Sequence, residues 1–481
     1  MEHIDPTNVA ALNERIHAWS EPGDGIQPVR IRRIIIADDA IDALVDELRT
    51  IAAGKRVLLV ADHTPMQRGP DDVKALIEDR LGHICKLTAR RLPADSNARF
   101  HAKLEIAQQL ANELVEANGG FAAIISVGSG SITDTAKCAR HLHANQTGNQ
   151  IPFVCFPTAA SVTAYTSALA AMTVAGAKRT LPATAPEVVV CDLRTLADAP
   201  GAMTQAGFGD VLARSVSYGD WYLANQLGMD DGFSLVPGKL LECAEQEMLA
   251  QAECIGTGNP EAVRACLEAL LLSGMAMSIA RQTAPLSGWE HAISHFLDLT
   301  AASTGRELAL HGGQVGIATL VSARAYESAW NELDLDRLVV DRDDAFYREP
   351  LEQTFDGCAE SRELAAELWN DFATKLTCWR SAIQQRRRFI ERKRAGEFDE
   401  FINRAVRTAD KIDTALRQAG APRRWCDLDN PVFDDCAVTA VRRAHLVRSR
   451  FTLGDLLTEA DWLGMEQVID LLRGMITAEE T

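Results

Sequence analysis

The sequence predicts an α/β domain built on a parallel sheet, followed by a domain made of helices alone. Three observations carry this reading. Short, continuously apolar runs alternate with amphipathic ones as far as Cys191, the mark of strands covered on both faces. Runs of β type then stop near Asp198, and runs of helical period follow one another to the C-terminus. A glycine-bearing turn, Gly128-Ser129-Gly130, leaves a buried run and opens a helix, as in nucleotide-binding layers. The expected division is 1–199, with 1–29 as an extension, and 200–481.

In chain order, a helix is expected over Asn8–Trp19, a strand over Ile31–Ala37 and a helix over Ile41–Ala53. Arg56–Ala61 reads as a strand, Val73–Leu81 as a helix, Ile84–Leu92 as a strand and Lys103–Ala117 as a helix. Ala122–Val127 and Phe153–Phe156 read as buried strands. A hairpin around Gly176 precedes a last strand, Glu187–Cys191. Helices then follow at Leu240–Glu253, Ala262–Gln282, Gly288–Asp298, Gln314–Trp330, Ser361–Trp379, Glu397–Ala419 and Asp455–Leu463. The apolar run Cys266–Ala280 reads as a buried helix at the centre of the helical domain, too short to span a bilayer. The basic stretch Arg386–Arg394 reads as a solvated helix face.

A chain of 481 residues with 47% hydrophobic content fills two cores. A formal net charge of -18 argues against a nucleic-acid binder, which needs a basic face. Eleven scattered cysteines without a C-x-x-C pair suit a reducing compartment. The polar N-terminus resembles no targeting segment, so a cytoplasmic location is expected.

Two regions carry the chemistry. His291 and His295 lie four apart in one helical run, so they share a face; His311 follows the Thr304-Gly305 connection and opens the next run. Two imidazoles at the starts of successive helices converge on one ion when a carboxylate joins them, leaving coordination sites open for a substrate. Asp210, after Gly207 and Gly209, reads either as the N-cap of a helix or as that carboxylate. In the first half, the Gly128–Ser131 turn offers a helix N-terminus to a pyrophosphate, although Thr133 replaces the third glycine of a full dinucleotide fingerprint. Asp62 ends an earlier strand, where an acidic residue holds a ribose hydroxyl and disfavours a 2′-phosphate, which leans the reading towards NAD. Thr158 and Ser161 follow a strand and suit contact with a flat ligand; Lys178 faces either ligand or solvent.

Taken together, these strings resemble a known superfamily. Gly128-Ser129-Gly130…Asp134…Lys137 is similar to the G-G-G-x-x-x-D-x-x-K pattern of iron-containing alcohol dehydrogenases and dehydroquinate synthases. Phe156–Ser161, Gly176–Ala183, Ala206–Asp210, Asp220-Trp221, Ser287–Asp298, His311–Gly316 and Arg448–Leu456 most resemble the sn-glycerol-1-phosphate dehydrogenase family, in family order. The resemblance implies a dehydroquinate synthase-like fold: a Rossmann-like α/β domain and an all-α domain. It implies a metal on Asp210, His291 and His311, with zinc favoured over nickel or iron. It places NAD or NADP on Gly128, Ser129, Gly130, Ser131, Asp134, Lys137, Thr158 and Ser161. It puts His295 near the substrate as a proton carrier and Lys178 among the basic residues facing an anionic substrate, without nucleic acid or membrane partner, in a homodimer or larger homo-oligomer. The implied reaction moves a hydride between nicotinamide and a small ketone or alcohol, phosphorylated in the family's manner. A lyase or cyclase with tightly held NAD, or a member without redox turnover, are the alternatives. Thr163 replaces the aspartate that the family usually carries there, keeping a hydroxyl but no carboxylate.

Overall fold

The computed structural model describes residues 3–94, 100–117, 120–174, 176–301, 306–357 and 359–476; the Thr304-Gly305 connection lies outside them. The chain forms two compact units, Met1–Phe208 with Val236–Gln282, and Gly209–Leu235 with Thr283–Thr481.

Among its described residues the first unit carries ten strands: β1 (Arg33–Ala37), β2 (Arg56–Asp62), β3 (Gln67–Arg68), β4 (Asp71–Asp72), β5 (Lys86–Leu92), β6 (Phe121–Gly128), β7 (Phe153–Pro157), β8 (Leu169–Val174), β9 (Ala177–Pro182) and β10 (Val188–Asp192). Six of them form a sheet in the order β1-β10-β7-β6-β2-β5, and every pairing in it is parallel. Strand β2 shows why its run is apolar throughout. Val57, Leu59 and Ala61 pack with helices Ile41–Ala52 and Val73–Gly82. Leu58 and Val60 turn to helices Leu104–Glu116 and Gly130–Thr147 on the other face. Alternate residues thus feed two cores, and no position is left for a polar side chain. The expected hairpin is β8–β9, antiparallel, with Gly176 at φ 84° in the turn, a conformation open to glycine.

The division differs from a break at 199. Helices Val236–Ala250 and Pro260–Ala280 join the α/β unit. The second reaches 21 residues, long and apolar enough to span a membrane by those criteria, yet 78% of its apolar window is buried. It is anchored in the unit by polar bonds: Thr166 Oγ1 donates to Leu271 O at 2.6 Å, and Ser278 Oγ donates to Thr166 O at 3.1 Å. It is therefore a core helix, but of the first unit and not of the helical one.

In the second unit, helices make up nearly all of the regular structure of the described residues. The expected Glu397–Ala419 helix is two, Asp399–Ala405 and Ala409–Gln418. Between them Val406 is extended and the Arg407 backbone N–H donates to Ser215 O at 2.9 Å, which takes it out of helical register. The basic stretch is not wholly solvated either. Arg386 is fully buried, donates to Leu338 O at 2.9 Å, pairs with Asp341 at 2.8 Å and stacks over Trp379.

Candidate metal centre and nucleotide turn

Asp210 does not cap a helix. It lies in the last turn of helix Gly201–Leu212, which runs through both glycines. Those glycines are packing surfaces. A Cβ on Gly207 would stand 2.1 Å from Ala160 O, and one on Gly209 would stand 2.2 Å from Gly312 O. Gly209 therefore lets its helix touch the backbone at the start of helix His311–Ala329, and Asp210 arrives beside His311. After a bend at Ala213 the chain starts a separate helix, Arg214–Gln226, so Asp220 is not on the same helix as Asp210.

One carboxylate oxygen of Asp210 and one nitrogen each of His291 and His311 lie within 4.8 Å of one another, all in the second unit. His291 Nε2 is 3.3 Å and His311 Nε2 is 3.9 Å from Asp210 Oδ1. The other ring nitrogens are held from behind: His291 Nδ1 by Glu290 Oε1 at 2.9 Å, and His311 Nδ1 by Ser294 Oγ at 3.0 Å. Glu290 Oε1 also accepts from the Gly288 N–H at 2.7 Å, so it is an acceptor and His291 Nδ1 carries the proton. A neutral His291 then aims a lone pair at a carboxylate oxygen. Asp210 Oδ1 is itself buried and accepts no well-directed hydrogen bond. Acceptor facing acceptor in a buried place is costly unless a cation lies between them, so the donor set fits a divalent ion. In the apo state burial pushes the His291 imidazolium down, while the Asp210 and Glu290 carboxylates outweigh it and leave the value raised.

A layer of buried charge holds these groups. Asp220 Oδ2 accepts from the backbone N–H of Trp289 at 2.8 Å and of Leu453 at 3.1 Å, the first residues of two helices. Its Oδ1 accepts from Tyr326 Oη at 2.7 Å. Burial, joined by the charge of Glu290, pushes Asp220 up to about 7 despite these donors. Gly288 separates the two carboxylates; a Cβ there would lie 2.7 Å from Asp220 Oδ2 and 2.9 Å from Glu290 Oε2. Arg450 is committed to this layer through Thr283 Oγ1 and Ser287 O. His295 stands next to these three residues, its ring centroid 5.5 Å from that of His311, and Arg448 Nη1 donates to its Nδ1 at 2.9 Å. A guanidinium only donates, so the neutral ring keeps its proton on Nε2.

In the first unit, Gly128–Ser131 forms the β6-to-helix turn, with Ser129 at the N-cap of Gly130–Thr147. A Cβ on Gly130 would stand 2.2 Å from Val162 Cγ2, so glycine is needed for the loop to close over the turn. Asp134 and Lys137 hold each other and the neighbouring loop. Lys137 is fully buried; it pairs with Asp134 at 2.9 Å and donates to Ala164 O at 2.8 Å and Ser167 O at 3.1 Å. Its two hydrogen bonds and its ion pair all point into the protein, and Asp134 Oδ2 accepts from the Ala171 N–H. The D-x-x-K pair thus braces the loop that bears Thr158, Ser161 and Thr163. Tyr165 Oη, donating to Ala159 O at 2.6 Å, ties the same loop and lies 3.4 Å from Ser161 Oγ. Thr158 Oγ1 is buried without a hydrogen-bond partner, an orphaned hydroxyl beside the Gly128 turn that fits a polar ligand. Thr163 opens a 3-10 turn, Thr163–Tyr165. Burial pushes the Asp134 carboxyl up, against the opposing pull of Lys137 and, more weakly, of Lys178, which is half-buried on β9 opposite Thr173.

The family model described as iron-containing alcohol dehydrogenase matches residues 35–200. The chain is 28% identical over 310 residues to the NAD(P)-dependent glycerol-1-phosphate dehydrogenase of Bacillus subtilis (strain 168), covering 64% of this chain and 75% of that protein. With the enzyme of the same name from Pyrococcus furiosus it shares 37% over 209 residues, 44% of this chain and 57% of the relative. Among solved structures, sulfoacetaldehyde reductase from Bifidobacterium kashiwanohense superposes with a TM-score of 0.55 at 16% identity, over 92% of this chain and 98% of that one. The chain is an oxidoreductase of the iron-containing alcohol dehydrogenase superfamily, metal-dependent and linked to NAD(P). Within that superfamily it is similar to the glycerol-1-phosphate dehydrogenases, at 28% identity over 64% of the chain.

The sequence reading missed Glu290 and Ser294. Neighbours in sequence on a helix do not share a face, so nothing in the spacing marks Glu290 as the partner of His291. Ser294, three residues after His291, carries no pattern that distinguishes it from other core serines.

Proposed function

We propose that the chain interconverts a small phosphorylated ketone and its secondary alcohol, glycerone phosphate and glycerol 1-phosphate or a close analogue. The ion it uses is zinc, held by Asp210, His291 and His311. The observation that carries this is the convergence of two imidazole nitrogens on an orphaned, buried carboxylate oxygen. The bound ion supplies Lewis acidity and the nicotinamide supplies or accepts the hydride. The chain's own groups do the rest. Glu290 and Ser294 fix the two imidazoles so that their Nε2 lone pairs face one point. His295 holds a proton on Nε2 for the substrate oxygen, and Arg448 keeps that tautomer. Arg448 also sets a positive charge beside His295, which suits an anionic substrate. Gly128–Ser131 and Thr158 seat the nucleotide, and the Lys137–Asp134 brace keeps their loop in place.

The test is the net absorbance change of NADH and NADPH with dihydroxyacetone phosphate, run on zinc-loaded protein. One reduced nicotinamide consumed per alcohol formed supports the reading. Product formed with no net change in the nicotinamide would instead show a lyase or cyclase that returns its cofactor each turn.

A further inference from the structure

Strands β2 and β6 run parallel, paired as far as Val60 and Ser126. Counting on along both strands, Asp62 ends β2 beside Gly128, the first residue of the nucleotide turn. A dinucleotide seated on such a turn brings its adenosine ribose to the end of the neighbouring strand. There a lone carboxylate accepts the 2′-hydroxyl of NAD and repels the 2′-phosphate of NADP. Asp62 is not a lone carboxylate. Lys74, in the first turn of helix Val73–Gly82, pairs with its Oδ1. The ammonium also donates to Asp62 O at 3.1 Å and Thr64 O at 2.6 Å, which uses all three of its hydrogens. Asp62 Oδ2 accepts from Thr64 Oγ1 at 2.8 Å. The two charged side chains are 11% and 3% exposed, so solvent screens them little and each depends on the other.

We propose that Lys74 sets the breadth of cofactor use: by cancelling the charge of Asp62 it lets one site take NAD or NADP. This rests on the dehydrogenase reading above. Lys74 acts as a positioning residue, since its hydrogens are committed inward and none is left for a phosphate. With the pair neutral, Asp62 Oδ2 keeps a lone pair for a ribose hydroxyl, and a 2′-phosphate meets no net negative charge. The pair therefore removes the lean towards NAD that Asp62 alone implies.

The experiment is direct titration of NADH and NADPH, followed by nicotinamide fluorescence, into the full-length protein and three variants. Wild type is expected to bind the two within about tenfold of each other. Lys74→Met, which bares the carboxylate, should weaken NADPH relative to NADH by about tenfold or more. Asp62→Asn, which bares the ammonium, should move the ratio the opposite way. The double variant Asp62→Asn/Lys74→Met should return to the wild-type ratio, and it carries no lone buried charge should Lys74→Met fold poorly. Opposite shifts in the single variants support the proposal. An unchanged ratio in Asp62→Asn and Lys74→Met, or a wild type that discriminates more than about a thousandfold, overturns it. A wild type that binds neither nucleotide sinks the dehydrogenase reading as well.

Discussion

The metal centre and the nucleotide turn are built in opposite ways. At the metal centre three side chains from three helices converge, and the backbone beneath them is brought close by glycine, Gly209 against Gly312. At the turn the backbone itself is the proposed ligand surface, and buried side chains, Lys137 with Asp134, brace it from below. In the first case the named motif residues are the proposed ligands. In the second, much of the motif is scaffold. A motif that is retained as a string thus says little about which of its members touch a ligand until their bonds are traced.

The contrast can be broken by substitution. The largest effect is expected from Asp210→Ala or His291→Ala, which should abolish bound metal and turnover while leaving the thermal midpoint of the apo protein within a few degrees; metal analysis and calorimetry check this. Lys137→Met should do the reverse. It strands Asp134 in a buried place and is expected to cost about 3–5 kcal/mol in chemical denaturation, with most of the loss recovered in Asp134→Asn/Lys137→Met. Glu290→Gln should lower metal affinity by about 10- to 100-fold, because the imidazole of His291 loses its charged support.

A pH series sharpens the comparison further. Asp220, pushed up to about 7, holds a proton in the native state that the unfolded chain has already released. Apo stability should therefore fall as pH rises from the ordinary carboxylate range towards 7 and level off above it. Asp220→Asn should flatten that slope in urea titrations. Metal affinity should run the other way, falling as pH drops through the raised value of His291, since its Nε2 must be unprotonated to bind. The smallest effect is expected at the surface: Arg348→Ala removes the half-exposed pair with Glu352 and should change stability by less than about 0.5 kcal/mol.

Most of the fold was legible in the chain because apolar period reports burial directly. The six strands of the sheet, the innermost of them buried on both faces, lie where the apolar runs put them, with boundaries within a few residues. Helices Val236–Ala250 and Pro260–Ala280 were assigned to the wrong unit because period tells that a face is buried, never against what. Gly207 and Gly209 left open whether Asp210 caps a helix or offers a carboxylate to an ion. Their signal is ambiguous: a glycine needed for close backbone contact looks like one needed for a turn. Asp210, His291 and His311 were legible as a set only through the family resemblance. Glu290, Ser294 and the Asp62–Lys74 pair were not legible, since each is a contact formed by folding and leaves no spacing behind.

The central claim is that one divalent ion is held by Asp210, His291 and His311. Cobalt titrated into the metal-stripped protein and followed by its visible absorption tests it most directly. One equivalent should bind to wild type with the bands of a low-coordinate nitrogen–oxygen site, and none should bind to Asp210→Ala/His291→Ala/His311→Ala. The same bands, at the same stoichiometry, in the triple variant would contradict it.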